Sequence, residues 1–375
     1  MPRLFPALLA LGAAALASAR DQTILLGTYT DTASRGIYAV RLNGDTGALS
    51  APELVAALPD PEFLAADPGG HTLYALTRVK GPDGRPVAAV ASFRVEADGR
   101  LAPLNTQPTG RGSLTHLAVD ATGRMLVAAS YGGGYVVSFP LEPDGRLGAA
   151  ATILDQAGAL GPVKDRQNAP HPHSVTLSPD NRLAWVADLG LDRVFAYRLD
   201  PTRGTIAPAD PAAVVLAAGT GPRHTKFSPD GRFYYVLGEL DATITACRYD
   251  AGRGVAEPFQ RISLLPEGDT GRRSGSEIRI HPNGRFVYAA NRFHNVIAVF
   301  ARDPETGALT RIEVVPSGGE IPRNFSLSPD GAWLVCAHQD SGNLTVFKVD
   351  AATGRLTATP HTAQVARAVC VLFQP

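Results

Sequence analysis

Ionisable side chains stand at both ends of a hairpin-like stretch in the middle of the chain. In GPRHTKFSPDGRFYYVLGELD, which begins at Gly221, Arg223 and His224 precede one apolar run and Glu239 follows the next. The turn SPDG separates the two runs, so an antiparallel hairpin would bring these charges to the same side. An arginine fork matches a carboxylate or phosphate, and Glu and His side chains can transfer protons. These residue types together suit anion binding with acid–base chemistry beside it.

A second candidate is the segment APHPHSV, in which His171 and His173 stand two positions apart. On an extended segment such side chains face the same way, so both could contact one ligand. A metal site needs three or four donors, and no Cys or carboxylate stands nearby with the usual ligand spacing. Acid–base use without a metal is therefore favoured. For His116 and His224 a hydrogen-bonded structural role is the default expectation.

The elements that must position these groups recur along the chain. The turn at 228–231 has counterparts about fifty residues apart. The counterparts end at Gly70, Gly123, Asn181, Gly284 and Gly331. Each is followed by an apolar run such as RFYYVL or RFVYAA, then by a third run and a second turn. Four antiparallel strands at this period predict the blades of an all-β propeller, and six such units are complete.

A seventh blade is assembled from both chain ends. ARAVCVLF near the C-terminus can supply its innermost strand, and TILLGTYT and GIYAVRL near the N-terminus can supply the next two. Closure of this kind removes exposed sheet edges and ties the chain ends together. We therefore predict a seven-bladed β-propeller over residues 20–375 as a single domain, with six or eight blades as the alternatives.

In a blade the first strand lines the central channel and the second runs back beside it, so the start of one and the end of the other open onto one rim. Equivalent positions before and after the repeated turns therefore define a polar ring, called here the crown. Its members are Glu62, Thr115, His173, Arg223, Ser276, Arg323, Arg78, Tyr131, Leu189, Glu239, Arg292 and Gln339. The arginines predict an anionic small-molecule substrate. The substrate-binding candidates are Arg78, Tyr131, Arg323, His171 and His224. The alternative is a set of salt bridges between adjacent blades.

Charge and the N-terminal segment restrict the protein further. The 35 basic and 35 acidic side chains leave no net charge, which argues against nucleic acid as a partner. Residues 1–19 combine an early Arg, an apolar stretch and Ala-Ser-Ala at their end, the pattern of a cleaved signal peptide. No other stretch approaches bilayer length. We expect a periplasmic or secreted monomer with no membrane insertion after cleavage.

Several motifs resemble the seven-bladed β-propeller lactonases, a family that includes the propeller-type 6-phosphogluconolactonase and, more distantly, carboxy-muconate lactonising enzyme. They are LLGTYT, PHPHSVTLSPDNRLAWVADLG, GPRH followed by GEL, and ANR in the next blade. The resemblance covers essentially the whole chain after the signal segment. It implies an active centre of His, Arg, Glu and a second Arg, with no metal and no cofactor. By motif these catalytic roles fall on His173, Arg223, Glu239 and Arg292, with Arg323 competing for the last.

The resemblance implies hydrolysis of an anionic sugar-acid lactone. Either Glu239 or His173 would take a proton from the attacking water and the other would protonate the ring oxygen, an order that the residues leave open. A phosphogluconolactone is a cytosolic metabolite, whereas this chain is expected to be exported, so the reaction type is implied more firmly than that substrate. Two other functions stay open: a non-catalytic ligand-binding or scaffold propeller, and lactonisation of a muconate-type acid.

Overall fold

Seven four-stranded antiparallel sheets make up residues 21–374, the part of the chain that the computed structural model describes. The sheets are the blades of a propeller, and this range contains no helix. The predicted all-β, seven-bladed fold is confirmed. The predicted signal peptide, residues 1–19, lies outside the described residues. Within those residues nothing forms an apolar helix long enough to cross a membrane.

The strands follow chain order within every blade except the first. Blade 1 contains β1 (Gln22–Thr28), β2 (Gly36–Leu42) and β3 (Glu53–Ala57). Blades 2 and 3 contain β4 (Leu64–Ala66), β5 (Thr72–Lys80), β6 (Pro86–Val95), β7 (Leu101–Pro108), β8 (His116–Val119), β9 (Met125–Ser130), β10 (Tyr135–Pro140) and β11 (Thr152–Asp155). Blades 4 and 5 contain β12 (Pro172–Leu177), β13 (Leu183–Asp188), β14 (Arg193–Asp200), β15 (Thr205–Val215), β16 (Pro222–Phe227), β17 (Phe233–Gly238), β18 (Thr243–Asp250) and β19 (Val255–Ser263). Blades 6 and 7 contain β20 (Gly275–Ile280), β21 (Phe286–Asn291), β22 (Val296–Arg302), β23 (Leu309–Pro316), β24 (Pro322–Leu327), β25 (Trp333–His338), β26 (Asn343–Val349) and β27 (Leu356–Gln364).

The last strand, β28 (Ala368–Phe373), completes blade 1 from the other end of the chain. It pairs antiparallel with β1, with Phe373 opposite Ile24 and Ala368 opposite Thr28. Strand order in this blade is β28-β1-β2-β3, so β28 takes the inner position that β4, β8, β12, β16, β20 and β24 take in the other blades. The predicted ring closure is confirmed.

Apolar side chains fill the spaces between blades. Each of seven buried clusters joins two neighbouring blades, as where Trp185 of blade 4 lies 5.3 Å from Tyr234 of blade 5, centroid to centroid. Second strands such as β13 and β17 are buried throughout, because both of their faces are covered. This explains why their sequences are continuous apolar runs and do not alternate. All three cysteines are buried and free.

The repeated turn fixes where each inner strand ends and each second strand begins. In SPDG the amide of Gly231 donates to the carbonyl oxygen of Ser228 at 2.9 Å, and the Ser228 hydroxyl oxygen accepts from the Phe233 amide at 3.0 Å. The fourth position has a positive φ, 68° at Gly231 and 57° at Asn181, where Gly and Asn are tolerated best. Because the turn sets the phase of both strands, it also sets which residues reach the opposite rim.

Candidate active site

Three inner strands have a β-bulge near their start, and in each of them a candidate site residue lies at the bulge, outside the regular strand pairing. In β12, β16 and β24 the register shifts directly after a proline, at His173, Arg223 and Arg323. Proline has no amide hydrogen to give to a ladder, and a bulge leaves its extra residue unpaired and changes the direction of the side chain. Proline followed by His or Arg is thus the local sequence that presents these groups at the rim.

A cavity of about 550 Å³ opens at this rim. The crown residues that line it are Glu62, Thr115, His173, Arg323, Arg78, Tyr131, Glu239 and Arg292. Arg223 lines a narrower cavity of about 20 Å³ that shares His173 with the larger one. Ser276, Leu189 and Gln339 line neither of them. Motifs that are far apart in the chain therefore meet at one opening, as the phase of the repeats predicts.

Glu239 lies at the centre of a buried charge network, with a side chain 2% exposed. Its Oε2 accepts a hydrogen bond from Nε of Arg223 at 2.9 Å, and its Oε1 lies 2.9 Å from a terminal nitrogen of Arg292. A third guanidinium, that of Arg166, also donates to Oε1. Nε2 of His173 lies 3.8 Å from Oε2. The structure thus brings together the four residues that the motifs assign to the catalytic centre.

The arginines keep Glu239 ionised. Burial by itself would raise the pKa of this carboxyl, but Arg292, Arg223 and Arg166 outweigh burial and hold the pKa well below its usual range. Burial, and then the charge of Arg292, lowers the pKa of Arg223 to about 9, so this guanidinium also stays charged at neutral pH. Glu239 is therefore a fixed negative charge that orients guanidinium groups, and it is a poor proton acceptor or donor near pH 7.

His173 has the opposite character. Burial, and then the positive charge of Arg223, holds the pKa of His173 well below its usual value, so its ring is neutral at pH 7. Its Nδ1 has no hydrogen-bond partner within residues 21–374, and the residue lines both cavities. A neutral imidazole beside a cavity can accept a proton from water or from a hydroxyl group.

Two further arginines bring donors to the larger cavity. Arg292 donates to Oγ of Ser274 at 2.6 Å, and its Nε lacks a hydrogen-bond partner in the described part of the chain. Arg323 donates to the hydroxyl of Tyr29 at 2.9 Å and lies over the Tyr29 ring, 5.5 Å from its centroid. Of the two, Arg292 forms the direct ion pair with Glu239. Both are placed to bind an anion.

The other two histidine candidates, His171 and His224, do not line the larger cavity. His171 stacks on Tyr131 with centroids 4.3 Å apart, and its Nδ1 lies 2.9 Å from the Tyr131 carbonyl oxygen. His224 is buried with Nδ1 3.1 Å from Oε1 of Glu277, without hydrogen-bond alignment, and it lines the narrower cavity. The structure brings neither ring to the lining of the larger cavity. His171 supports Tyr131, which does line it.

The sequence did not predict three of the ionisable lining residues: Tyr29, Arg166 and Arg272. Arg166 belongs to the loop between β11 and β12, and Arg272 belongs to the loop between β19 and β20. The guanidinium of Arg272 stacks 3.7 Å from the ring centroid of Phe293. Loops do not follow the blade repeat, so the spacing of the repeated turns could not predict where these loop residues lie. One feature of the sequence could have pointed to Arg166. The interval between the repeated turns that end at Gly123 and Asn181 is unusually long, and Arg166 lies in it.

Positive charge dominates the larger cavity. The ionisable lining residues are Arg78, Arg166, Arg272, Arg292, Arg323, Glu62, Glu239, His173, Tyr29 and Tyr131. Such a concave surface attracts anions, and guanidinium donors held by a network can stabilise negative charge that develops during a reaction. Within residues 21–374 no group of three or more His, Cys, Asp or Glu is arranged to hold a metal ion.

Comparisons with known proteins show the family to which the chain belongs. Residues 23–373 match the family model "Lactonase, 7-bladed beta-propeller". The 6-phosphogluconolactonase of Bacillus subtilis strain 168 is 35% identical over 349 residues, covering 93% of this chain and 97% of that protein. The periplasmic gluconolactonase PpgL of Pseudomonas aeruginosa superposes with a TM-score of 0.88 at 32% identity, covering 95% of this chain and 99% of that one. A Lactobacillus plantarum protein superposes with the same TM-score at 30% identity, covering 95% and 100%.

The family match and the named relatives define an enzyme of the lactonase class. The family match spans nearly all of the described residues. The chain belongs to the seven-bladed β-propeller lactonase family.

Proposed function

We propose that this enzyme hydrolyses the lactone of an anionic sugar acid, of the kind that 6-phosphogluconolactonase opens, and that it does so without a metal. The observation that carries the proposal is the position of His173, whose Nε2 lies 3.8 Å from a carboxylate that contacts three arginines. Around it lies a cavity whose arginines outnumber its carboxylates. The 6-phosphogluconolactonase of Bacillus subtilis is a relative along almost the whole chain.

In the proposed reaction, Arg292 and Arg323 bind the anionic group and the carbonyl oxygen of the lactone. His173 accepts a proton as the water oxygen bonds to the carbonyl carbon, and the guanidinium groups stabilise the resulting oxyanion. Collapse of this intermediate breaks the bond to the ring oxygen, which takes up a proton. The new carboxylic acid then ionises, so each turnover releases one proton. Glu239 contributes by holding Arg223 and Arg292 in position.

An uncharged sugar lactone is a second candidate substrate. The structural neighbour from Pseudomonas aeruginosa is a periplasmic gluconolactonase, and the signal pattern of residues 1–19 supports export of this chain as well. We propose the periplasm or the medium as its location. N-terminal sequencing of the protein recovered outside the cytoplasm checks this: a mature chain that begins near Arg20 is expected, and a retained Met1 contradicts it.

Proton release measured by pH-stat tests the function. We expect the purified enzyme to accelerate hydrolysis of 6-phosphogluconolactone above the buffer rate, and more strongly than that of gluconolactone. Arg292→Ala should lower kcat/KM by about 10²-fold, the usual effect of losing an oxyanion donor. Arg253→Gln is the matched control, because Arg253 lies on the turn between β18 and β19, at the opposite face, with a side chain 68% exposed. Acid release at the buffer rate with every lactone, together with anion binding, would favour a binding propeller instead.

A further inference from the structure

Opening a lactone requires a proton donor for the departing ring oxygen, and Glu239 does not fit this role. Its two oxygens contact Arg223, Arg166 and Arg292, and its side chain is almost entirely buried. A carboxylate surrounded in this way has no proton to give near neutral pH. The larger cavity has a second carboxyl among its lining residues, that of Glu62.

Glu62 occupies the repeat position equivalent to that of His173 and lies two residues before the inner strand of its blade, β4. It lines the 550 Å³ cavity and, together with His173, the narrower cavity of about 20 Å³ beneath it, a space sufficient for about one water molecule. Its side chain is 15% exposed, so it is largely removed from solvent and still reaches the opening. The two residues therefore border one reaction space.

Contacts at Glu62 are weak in comparison with those at Glu239. A terminal nitrogen of Arg78 lies 3.5 Å from its Oε1, and the same guanidinium also pairs with Oδ2 of Asp60 at 3.3 Å. The Arg78 side chain is 45% exposed, which screens its charge with water. Glu62 is thus the carboxyl of this cavity that is able to change its protonation state.

The charged and titratable groups facing Glu62 come from several elements. Arg78 on β5 and Arg323 on β24 favour the ionised form, whereas Asp60 on the preceding loop opposes it. Tyr29, which follows β1, interacts with the same carboxyl, and burial raises the pKa of its hydroxyl. Burial is the largest influence on Glu62 and raises the pKa of its carboxyl to about 7.

We propose that Glu62 is the proton-transferring carboxyl of this site, working across the cavity from His173, while Glu239 acts as a fixed anion that positions the arginines. The proposal rests on the lactonase reaction proposed above. His173 takes the proton of the attacking water, and protonated Glu62 gives its proton to the ring oxygen as the bond to the carbonyl carbon breaks. Solvent then carries the proton from His173 back to Glu62, and the acid product releases one proton.

Kinetics as a function of pH tests this assignment. Glu62→Gln should lower kcat by at least about 10²-fold, the scale of general acid catalysis. It should also remove the alkaline limb of the pH–rate profile, which is the fall in rate that deprotonation of Glu62 causes near pH 7. Asp60→Asn should move that limb to lower pH, because the negative charge of Asp60 favours the protonated form of Glu62. Arg78→Met should move it to higher pH by the reverse argument. Asn is a mild replacement at position 60, where φ is 44°.

Two further measurements separate the outcomes. Glu305→Gln, whose side chain is 82% exposed on the turn between β22 and β23, should leave both the rate and the profile unchanged. The side-chain carboxyl ¹³C signal that Glu62→Gln removes from protein labelled at Glu should titrate near pH 7. A titration below pH 5, or an unchanged profile in Glu62→Gln with an active wild type, overturns the role of Glu62 alone. A wild type that hydrolyses no lactone overturns the proposed function, and this proposal with it.

Discussion

Two carboxyl groups border the same cavity, and their surroundings give them opposite properties. Glu239 is in contact with Arg223, Arg166 and Arg292 and stays ionised, whereas burial dominates at Glu62. Environments that separate the pKa values of neighbouring acids commonly assign them different tasks. At the scale of the residue, the number of guanidinium groups around each carboxyl decides which one orients and which one can exchange protons.

Replacing Glu239 by Gln should destabilise the fold by about 3–5 kcal/mol at pH 7, because the charged Arg223 and Arg292 lose their buried counter-ion. The folded-state pKa of Glu239 is depressed, so its stabilisation is present above the unfolded pKa of about 4.3 and is lost as the pH falls below it. Urea unfolding at neutral and acidic pH measures both effects. The difference in the free energy of unfolding between wild type and Glu239→Gln should become smaller below about pH 4.

The exposed pair of Glu305 with Arg232 provides the control. Glu305→Gln should change the free energy of unfolding by less than about 0.5 kcal/mol. If Glu239→Gln and Glu305→Gln lowered the free energy of unfolding equally, the buried network would contribute no more to stability than an ordinary surface ion pair.

At the scale of the element, the repeated turns and the bulges determine which site residues can be predicted from the sequence. The repeated turn sets strand phase, and phase was sufficient to place His173, Glu239 and Arg292 at one rim. Arg166 could not be placed, because its loop belongs to no repeat. The protonation states of Glu62 and Glu239 could not be assigned either, since they depend on burial and on charges that come from other blades.

Asn181 shows how a turn residue also links blades. It takes the positive-φ position that Gly231 takes in the next blade, but its Nδ2 donates to Oδ2 of Asp120 at 3.0 Å and its Oδ1 accepts from the Ala121 amide at 2.9 Å. Asn181→Gly should therefore lower the free energy of unfolding by about 1–2 kcal/mol, despite easing the backbone, because two hydrogen bonds between blades are lost. Urea denaturation measures the change.

The matched variant is Gly231→Asn. A Cβ at this glycine would meet Pro179 at an ordinary 3.6 Å, so stability should stay within about 0.5 kcal/mol of the wild type. A stabilising Asn181→Gly would mean that backbone strain outweighs the contacts between blades.

At the scale of the whole molecule, ring closure depends on one strand. β28 supplies Val371 and Phe373 to the apolar cluster between blades 7 and 1, and Cys370 to the cluster between blades 1 and 2. The amide of Val371 also donates to Oδ1 of Asn324 on β24 at 2.9 Å. The sequence predicted this closure because ARAVCVLF has no other partner strand in the repeat.

A chain that ends at residue 367 should therefore leave the inner edge of β1 unpaired and two apolar clusters open, and should be unstable and inactive. The missing strand can be supplied separately, since an extended peptide can add to an exposed sheet edge through main-chain hydrogen bonds and side-chain pockets. We expect a synthetic peptide of residues 368–375 to restore soluble protein and lactone hydrolysis on refolding, whereas a scrambled peptide of the same composition restores neither. Because the active-site residues named above all precede residue 367, recovered activity would reflect closure of the ring and no added chemical group. A truncated chain that is stable and fully active without the peptide would show that the other blades hold the rim in place without closure.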